Sequence, residues 1–564
     1  MPSFQSLPTE RFNLRHLTGF PYLTLLLWVI PLVIMQSSGQ SLMAHDEGIY
    51  AIQAKSIIET GDWITPQWGE QINFDRTMGI QWLIALGYML FGISENVARL
   101  PSNLAFIGTV LLLYRIGVLI TRHRWIAWLS AAILAIMPIA VQYARLGTQD
   151  SVLVFIELLA AWAMLESEAR ASRSLLMLTG AAFGWGYMIK GFMVIPVAIA
   201  FLPYLILQFR QHRHLLNPWL YLGLIVGWIP VVGWLWSATI KYGMMPLQQL
   251  VFKLFYLQET TNYDAGPLYY LWNIPANGFP WVFFAIGGIF LSLRNIHCHN
   301  LIRRHWALAL GFPLTLFAEL TLFKTRTHYY PLQLLPWLSL FAAICLHRLL
   351  YLYRHQRAKV LLSTISLGFG GIGTLLISAA LLGFTNRLPA LPGIEQKEIL
   401  RICGIGLTLG LGWFALLITW LQHKRQWIFR SAKQWLICLL LPAWLTLGLL
   451  GLTGLWGDYV PDFKAMLRDP AVATVINHQT VDFIVDHKIL YRGGRKRYLI
   501  LSFYTPQNGR HYREWQPVDI AWVDPNLVAL KPDGYETLAE YYGWELLKKA
   551  STLKSAIPQP VATP

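Results

Sequence analysis

Residues 41–66 read SLMAHDEGIYAIQAKSIIETGDWITP, and His45, Asp46 and Glu47 stand side by side just after a strongly apolar run. Carboxylates of this kind suit proton abstraction from a hydroxyl. Other breaks between apolar runs also carry ionisable groups. The first break adds Asp62, Glu70, Asp75 and Arg76, and YARLGTQD ends in Asp150. MIKGF holds Lys190, and FKTRTHYYPLQLLP holds Lys324, Arg326, His328, Tyr329 and Tyr330. A longer break, 238–274, contributes Lys253, Glu259 and Asp264. A single lysine such as Lys253 reads most simply as a charge snorkelling from a span end to the interface. Five breaks, each with an acid or a base beside an apolar run, point instead to a shared polar cavity. Lysine and arginine suit a phosphate, and arginine can grip it bidentately. Acid and base together at a membrane surface are what a phosphorylated lipid substrate would need.

The elements that must position these groups are apolar. Of 564 residues, 55% are hydrophobic and 13% are charged, and the chain has 25 Trp and 25 Tyr. Soluble domains carry about 25% charged residues, so the deficit points to a polytopic membrane protein. The net charge of +16 would suggest nucleic acid on a soluble chain. Here the basic residues cluster in short breaks between apolar runs, which excludes that class. Cys298, Cys345, Cys403 and Cys438 are scattered, with no CxxC, so no disulfide framework is expected. His297-Cys298-His299 reads as a polar loop rather than a metal site, because adjacent residues rarely supply a tetrahedral set. The first run, 19–37, follows Arg11 and Arg15 and lacks an A-x-A exit, so it reads as a retained signal anchor.

A spanning helix needs about 20 apolar residues. Roughly thirteen candidates lie near 19–37, 101–121, 125–143, 151–166, 174–190, 191–209, 217–237, 275–294, 305–323, 328–348, 360–384, 400–420 and 434–456. The run 79–92 is short and reads as interfacial or re-entrant. With it left out, alternate breaks carry the basic clusters, from Arg122 and Arg124 to Lys424, Arg425, Arg430 and Lys433. The positive-inside rule then puts these and the N-terminus in the cytoplasm. Residues 38–100 and the polar breaks fall outside. The expected architecture is therefore an all-α polytopic region, 1–456, followed by a small extracytoplasmic α/β domain, 457–564. In that domain VDFIV, RYLILSFY and DIAWV read as strands. PDFKAMLRDPAVATVINH and GYETLAEYYGWELLKKA read as helical, YRGGRKRY as a solvated hairpin, and the tail IPQPVATP as disordered.

Five passages resemble a known family: AHDEGIYAIQAKSIIETGDWITPQWGE, FDRTMGIQWLIALGYMLFGISENVARLPS, YARLGTQDSVLVF, YMIKGF and FKTRTHYYPLQLLP. They are similar to the GT-C superfamily glycosyltransferases that use polyprenyl-phosphate sugars. The nearest groups are the family 39 protein O-mannosyltransferase-like enzymes and the lipid A aminoarabinose transferases, and the likeness covers about residues 20–350. The resemblance implies a GT-C fold in a bacterial inner membrane. It also implies inverting transfer of a sugar from polyprenyl (undecaprenyl) phosphate to a lipid, glycan or protein hydroxyl outside. Asp46 falls at the family's catalytic acid and would act as general base. Glu47 would orient it or the acceptor, and Asp150 matches a second acidic position. Tyr50, Asp75, Arg76, Lys190, Lys324, Tyr329 and Tyr330 would bind the donor and its lipid phosphate. Where relatives read Glu-Lys-Pro-Pro this chain has Asp75-Arg76-Thr77-Met78, and Gly48-Ile49 stands where an arginine is common. No nucleotide is implied. A divalent metal is compatible, since some relatives bind one near the site. Asp46 could also be read as a plain helix N-cap. Two other functions fit a greasy chain: a flippase for a lipid-linked saccharide, or a membrane scaffold. The charges at span ends and the absence of repeat symmetry disfavour the first. The mixed polar cluster disfavours the second.

Overall fold

The computed structural model describes residues 15–35, 39–69, 71–259, 265–388, 394–425, 431–486 and 494–550. Among them seven helices are long and apolar enough to cross a membrane, or up to ten if each bent pair counts as one span. Every one of the thirteen apolar segments falls largely on helical residues. The counts differ for three physical reasons. Helix Pro21–Ile34 is only 14 residues long. Helix Gln149–Arg170 carries Glu157 and Glu166 inside its apolar stretch. Residues 173–207 fold back on themselves: Lys190 meets Asp150 at the start of helix Gln149–Arg170, whereas Tyr204 bonds Glu168 near its end at 2.8 Å. Gly191, with φ at +56°, makes that turn.

The span expected to begin at residue 101 starts at Glu95, where Ser94 accepts a hydrogen bond from the Val97 amide as N-cap. Helices Arg173–Lys190 and Pro218–Tyr242 cross on a glycine seam. A Cβ on Gly184 would lie 2.2 Å from the Gly227 carbonyl carbon, and one on Gly223 would lie 1.9 Å from the Met177 oxygen. Such close backbone approach is how membrane helices gain packing without a hydrophobic driving force. The run 79–92 forms helix Gly79–Phe91, whose Met89, Leu90 and Phe91 are exposed.

The C-terminal residues form a five-stranded sheet in the order β4-β3-β5-β7-β6. The strands are β3 (Val481–Ile484), β4 (Asn508–Tyr512), β5 (Ile520–Val523), β6 (Tyr535–Tyr541) and β7 (Trp544–Lys549); the β1–β2 hairpin pairs Gln67–Trp68 with Gln71–Ile72. β3 runs parallel to β4 and β5, and β7 antiparallel to β5 and β6. VDFIV and DIAWV are strands as read. RYLILSFY is instead part of helix Gly494–Tyr504, the crossover between parallel β3 and β4. Its Tyr498, Leu499, Ile500 and Leu501 are all buried, and a run buried all round shows no periodicity to separate helix from strand. The same helix replaces the end of the hairpin expected at YRGGRKRY; residues 491–493 of that stretch lie outside the described residues, as do Glu70, Asp264 and the tail. GYETLAEYYGWELLKKA, expected as a helix, is the β6–β7 hairpin. Tyr542 and Gly543 take φ of +49° and +81° at its tip, which suits a tight primed turn. Pairing with β5 overrides the helix propensity of its Leu, Glu and Lys residues.

The sheet does not hang free of the membrane helices. Helix Gly494–Tyr504 lies on helix Asp46–Thr60, and the Lys55 ammonium donates to the carbonyls of Ser502 and Thr505 at 3.1 and 2.8 Å. A cation at a helix C-terminus satisfies free carbonyls and complements the dipole. The Asp458 carboxylate accepts from the Ser41 amide at 3.0 Å, and the Tyr504 hydroxyl accepts from the Leu42 amide at 3.1 Å.

Candidate active site

Helix Asp46–Thr60 begins at Asp46, with His45 as N-cap and no side-chain capping bond. The N-cap reading of Asp46 is thereby corrected: its carboxylate leaves the helix and meets Arg76, Oδ1 to Nη2 at 2.8 Å. His45 Nδ1 approaches the same oxygen at 2.9 Å. Burial pushes the Asp46 carboxyl up, but the Arg76 guanidinium and the His45 contact outweigh it and hold the group well below the usual carboxylate range. Arg76 also donates from Nη1 to the Tyr50 hydroxyl at 2.7 Å and lies 5.1 Å from that ring's centre. Asp75 is a looser neighbour, 3.9 Å from Arg76 and 3.7 Å from the Lys253 ammonium.

The backbone under Arg76 is fixed from both sides. Phe74 is fully buried against Trp234 and Tyr242, and its amide donates to Gln249 Oε1 at 2.6 Å. Gly79 presses on the end of helix Arg173–Lys190, where a Cβ would lie 2.4 Å from the Met188 oxygen. That contact sets the Arg76 loop beside Lys190, without the two prolines that relatives place there.

Lys190 closes its helix and Asp150 opens the next helix in space, so each charge sits at the dipole end that favours it. The two form an ion pair, and the ammonium stands 5.2 and 5.5 Å from the ring centres of Tyr329 and Tyr330. Burial raises the Tyr50 phenol, partly offset by Arg76, with Asp46 and Asp150 both contributing. The two clusters therefore share one field. Tyr143, a residue not singled out in the sequence, joins the second cluster with a 2.9 Å bond to His328 Nε2 and a ring 5.3 Å from Tyr329.

Two expected residues stand apart. Lys324 remains exposed on its loop, so the structure leaves it outside the cluster. Glu47 turns away from Asp46 into the interior. Its Oε1 accepts from Arg99 Nε at 2.7 Å and from the Gly147 amide at 2.9 Å, and its Oε2 from the Met43 amide at 2.7 Å. Both side chains of this pair are 0% exposed. Glu47 is thus a positioning residue that ties the Asp46 loop to the Asp150 loop, in place of the expected contact with Asp46 or the acceptor. Arg99 was legible only as a basic residue inside a matching passage; its partner is 52 positions away. His45 was visible beside Asp46, and its imidazole is half exposed.

Among the described residues no three His, Cys, Asp or Glu side chains converge as metal ligands. Asp46 is already engaged by Arg76 and His45, and a nearby guanidinium opposes a second cation. The residues present do not fit a resident metal.

The sequence profile of the dolichyl-phosphate-mannose-protein mannosyltransferases matches residues 75–236. The undecaprenyl phosphate-alpha-4-amino-4-deoxy-L-arabinose arabinosyl transferase of Pseudomonas paraeruginosa is 27% identical over 434 residues, 74% of each chain. Its counterpart in Erwinia tasmaniensis is 24% identical over 78% of this chain and 75% of its own. The crystal structure of ArnT from Cupriavidus metallidurans bound to undecaprenyl phosphate shares the fold, with a TM-score of 0.65 at 16% identity over 95% of this chain and 98% of that one. Long apolar helices, an acid–base cluster at one end of them and these likenesses agree: the chain is a multi-pass membrane protein with the GT-C fold, a glycosyltransferase of the polyprenyl-phosphate-sugar class similar to the lipid A aminoarabinose transferases.

Proposed function

We propose that the protein moves a sugar from undecaprenyl phosphate to an acceptor hydroxyl on the extracytoplasmic face of the bacterial inner membrane, with inversion. The names of its relatives support aminoarabinose, or a sugar like it, as the cargo and lipid A as the acceptor class. The segregation of charge supports the orientation. The Asp46 and Asp150 clusters and the C-terminal sheet share one end of the helices, and Arg170 and Arg304 lie at the far end. In this reading residues 457–564 form an extracytoplasmic domain over the site.

Asp46 is the general base. The acceptor oxygen attacks the anomeric carbon, the bond from that carbon to the phosphate oxygen breaks, and polyprenyl phosphate leaves with the electron pair. The acceptor proton passes to Asp46 and on to His45 and water. Arg76, Lys190 and the Tyr50, Tyr329 and Tyr330 hydroxyls receive the phosphate, whose growing charge they stabilise. The observation that carries this reading is that one guanidinium, Arg76, holds Asp46. A phosphate that draws on Arg76 weakens that hold. The basicity of Asp46 then rises only when donor is bound, and burial, the largest influence on the group, works in the same direction.

The test is transfer by the purified, reconstituted protein from undecaprenyl-phosphate aminoarabinose to lipid A, read as a mass gain. Loss in Asp46→Asn with normal folding supports the proposal. Lipid translocation without any transfer overturns it in favour of a flippase.

A further inference from the structure

A second site lies at the opposite end of the helix that starts at Asp150. A groove of about 390 Å³ opens there between helices Pro21–Ile34, Glu95–Thr121 and Gln149–Arg170. Its polar end is built from three charged groups. Glu166 is 1% exposed and takes both Nε and Nη2 of Arg115, at 2.9 and 2.7 Å, and Nε of Arg170 at 2.6 Å. Two guanidiniums therefore share one carboxylate, and the polar end keeps a net positive charge. Arg115 Nη1 and both amino groups of Arg170 have no hydrogen-bond partner among the described residues. Arg170 is 65% exposed and Arg115 34%. Leu111, Leu112 and Trp162 form an apolar wall, and Tyr22 closes one side.

An interior ion pair alone would need neither a second arginine nor an open apolar wall beside it. The unbonded guanidinium edges ask for an anion with several acceptor oxygens. The wall asks for a chain attached to that anion. The volume falls within the range of small-molecule sites, and basic pockets between membrane helices recognise lipid phosphates by this chemistry. We propose that the groove holds the phosphate headgroup and upper acyl chain of one anionic glycerophospholipid, in the leaflet opposite the Asp46 site. Glu166 acts as its positioning residue, fixing both guanidiniums with their free edges toward the phosphate.

The test is native mass spectrometry of the full chain released from micelles containing equal phosphatidylglycerol and phosphatidylcholine. The wild type should retain one phosphatidylglycerol in preference to phosphatidylcholine. Arg170→Ala removes an exposed side chain and leaves Arg115 paired with Glu166, so the fold should hold; retention should fall roughly tenfold, as for a lost charge-assisted contact. Leu112→Trp fills the wall and should abolish retention with both arginines present. Glycerol phosphate without acyl chains should not displace the lipid. Equal retention of the two lipids, unchanged retention in Arg170→Ala, or displacement by glycerol phosphate would each overturn the proposal.

Discussion

Asp46 and Glu47 are neighbours, yet they predict opposite phenotypes. Glu47→Ala removes a carboxylate that accepts from two Arg99 nitrogens and two backbone amides, at 2.7, 3.3, 2.7 and 2.9 Å. Arg99 keeps the carbonyls of Gln40, Ser41 and Gly457, at 3.2, 2.8 and 3.4 Å, but these carry no neutralising charge. Breaking a buried pair by removing one partner costs about 3–5 kcal/mol. That corresponds to a fall in melting temperature of roughly 3–4 °C for a chain of this size. Tryptophan fluorescence of the detergent-solubilised protein on heating reads this directly. At a temperature where the variant stays folded, transfer should persist at a reduced rate, because Asp46 and Arg76 are untouched. Glu47→Ala combined with Arg99→Leu should recover part of the lost stability, since the uncompensated buried charge is then gone. An unchanged melting temperature with transfer abolished would refute the argument and return Glu47 to the catalytic centre.

Asp46→Asn should leave the melting curve within about 1 kcal/mol of the wild type and lower kcat by roughly 10²–10⁴-fold, the span of general-base contributions. Arg76→Lys keeps the charge but loses the fork that joins Asp46 to Tyr50, and should cost roughly 10²-fold in kcat/KM. In the wild type the Asp46–Arg76 pair contributes stability above the unfolded carboxyl's pKa of 3.8, and that contribution is lost as pH falls through the depressed folded value. The acid limb of the kcat/KM profile should therefore lie below the ordinary carboxylate range. In Arg76→Gln burial acts unopposed by the guanidinium, and the limb should move upward; an unmoved limb would show that a group other than Asp46 titrates. Asp62 behaves alike at the loop's other end. Burial raises it, but hydrogen bonds from Lys241 and Thr65 bring it to about 2, so its tie to helix Pro218–Tyr242 should weaken between pH 4 and 2, seen as faster amide exchange in residues 62–65.

Much of this was legible in the sequence because membrane spans announce themselves by length, and because Asp46, Arg76, Asp150 and Lys190 each lie at the end of an apolar run. The C-terminal residues were harder. Residues 498–503 of RYLILSFY are all buried, so their pattern fitted a strand as well as a helix. The β6–β7 hairpin depends on Tyr542 accepting a left-handed conformation, which no propensity scale foresees. Lys324 looked equivalent to Lys190. The difference is that Lys190 ends a helix that Gly79 pins from the side, whereas Lys324 follows a helix end and stays exposed.

The same logic accounts for the paired carboxylates at 46 and 47. Successive residues on a helix point about 100° apart, so two adjacent acids cannot serve one partner. At the first turn of helix Asp46–Thr60 one direction leads to the Arg76 loop and the other to Arg99. The first partner, 20% exposed, can be claimed by a substrate phosphate; the second, fully enclosed, cannot. The interior pair holds the loops of Asp46 and Asp150 together through the Gly147 amide, where a side chain is excluded because its Cβ would lie 2.8 Å from the Ala98 oxygen. Gly48 is drawn into this same junction, its Cβ position 3.1 Å from the Met43 oxygen and 3.8 Å from Leu499 of the C-terminal region. A long side chain in its place would have to find room between the Met43 carbonyl and Leu499, so the close cover of the first turn by the C-terminal helix favours a glycine at 48.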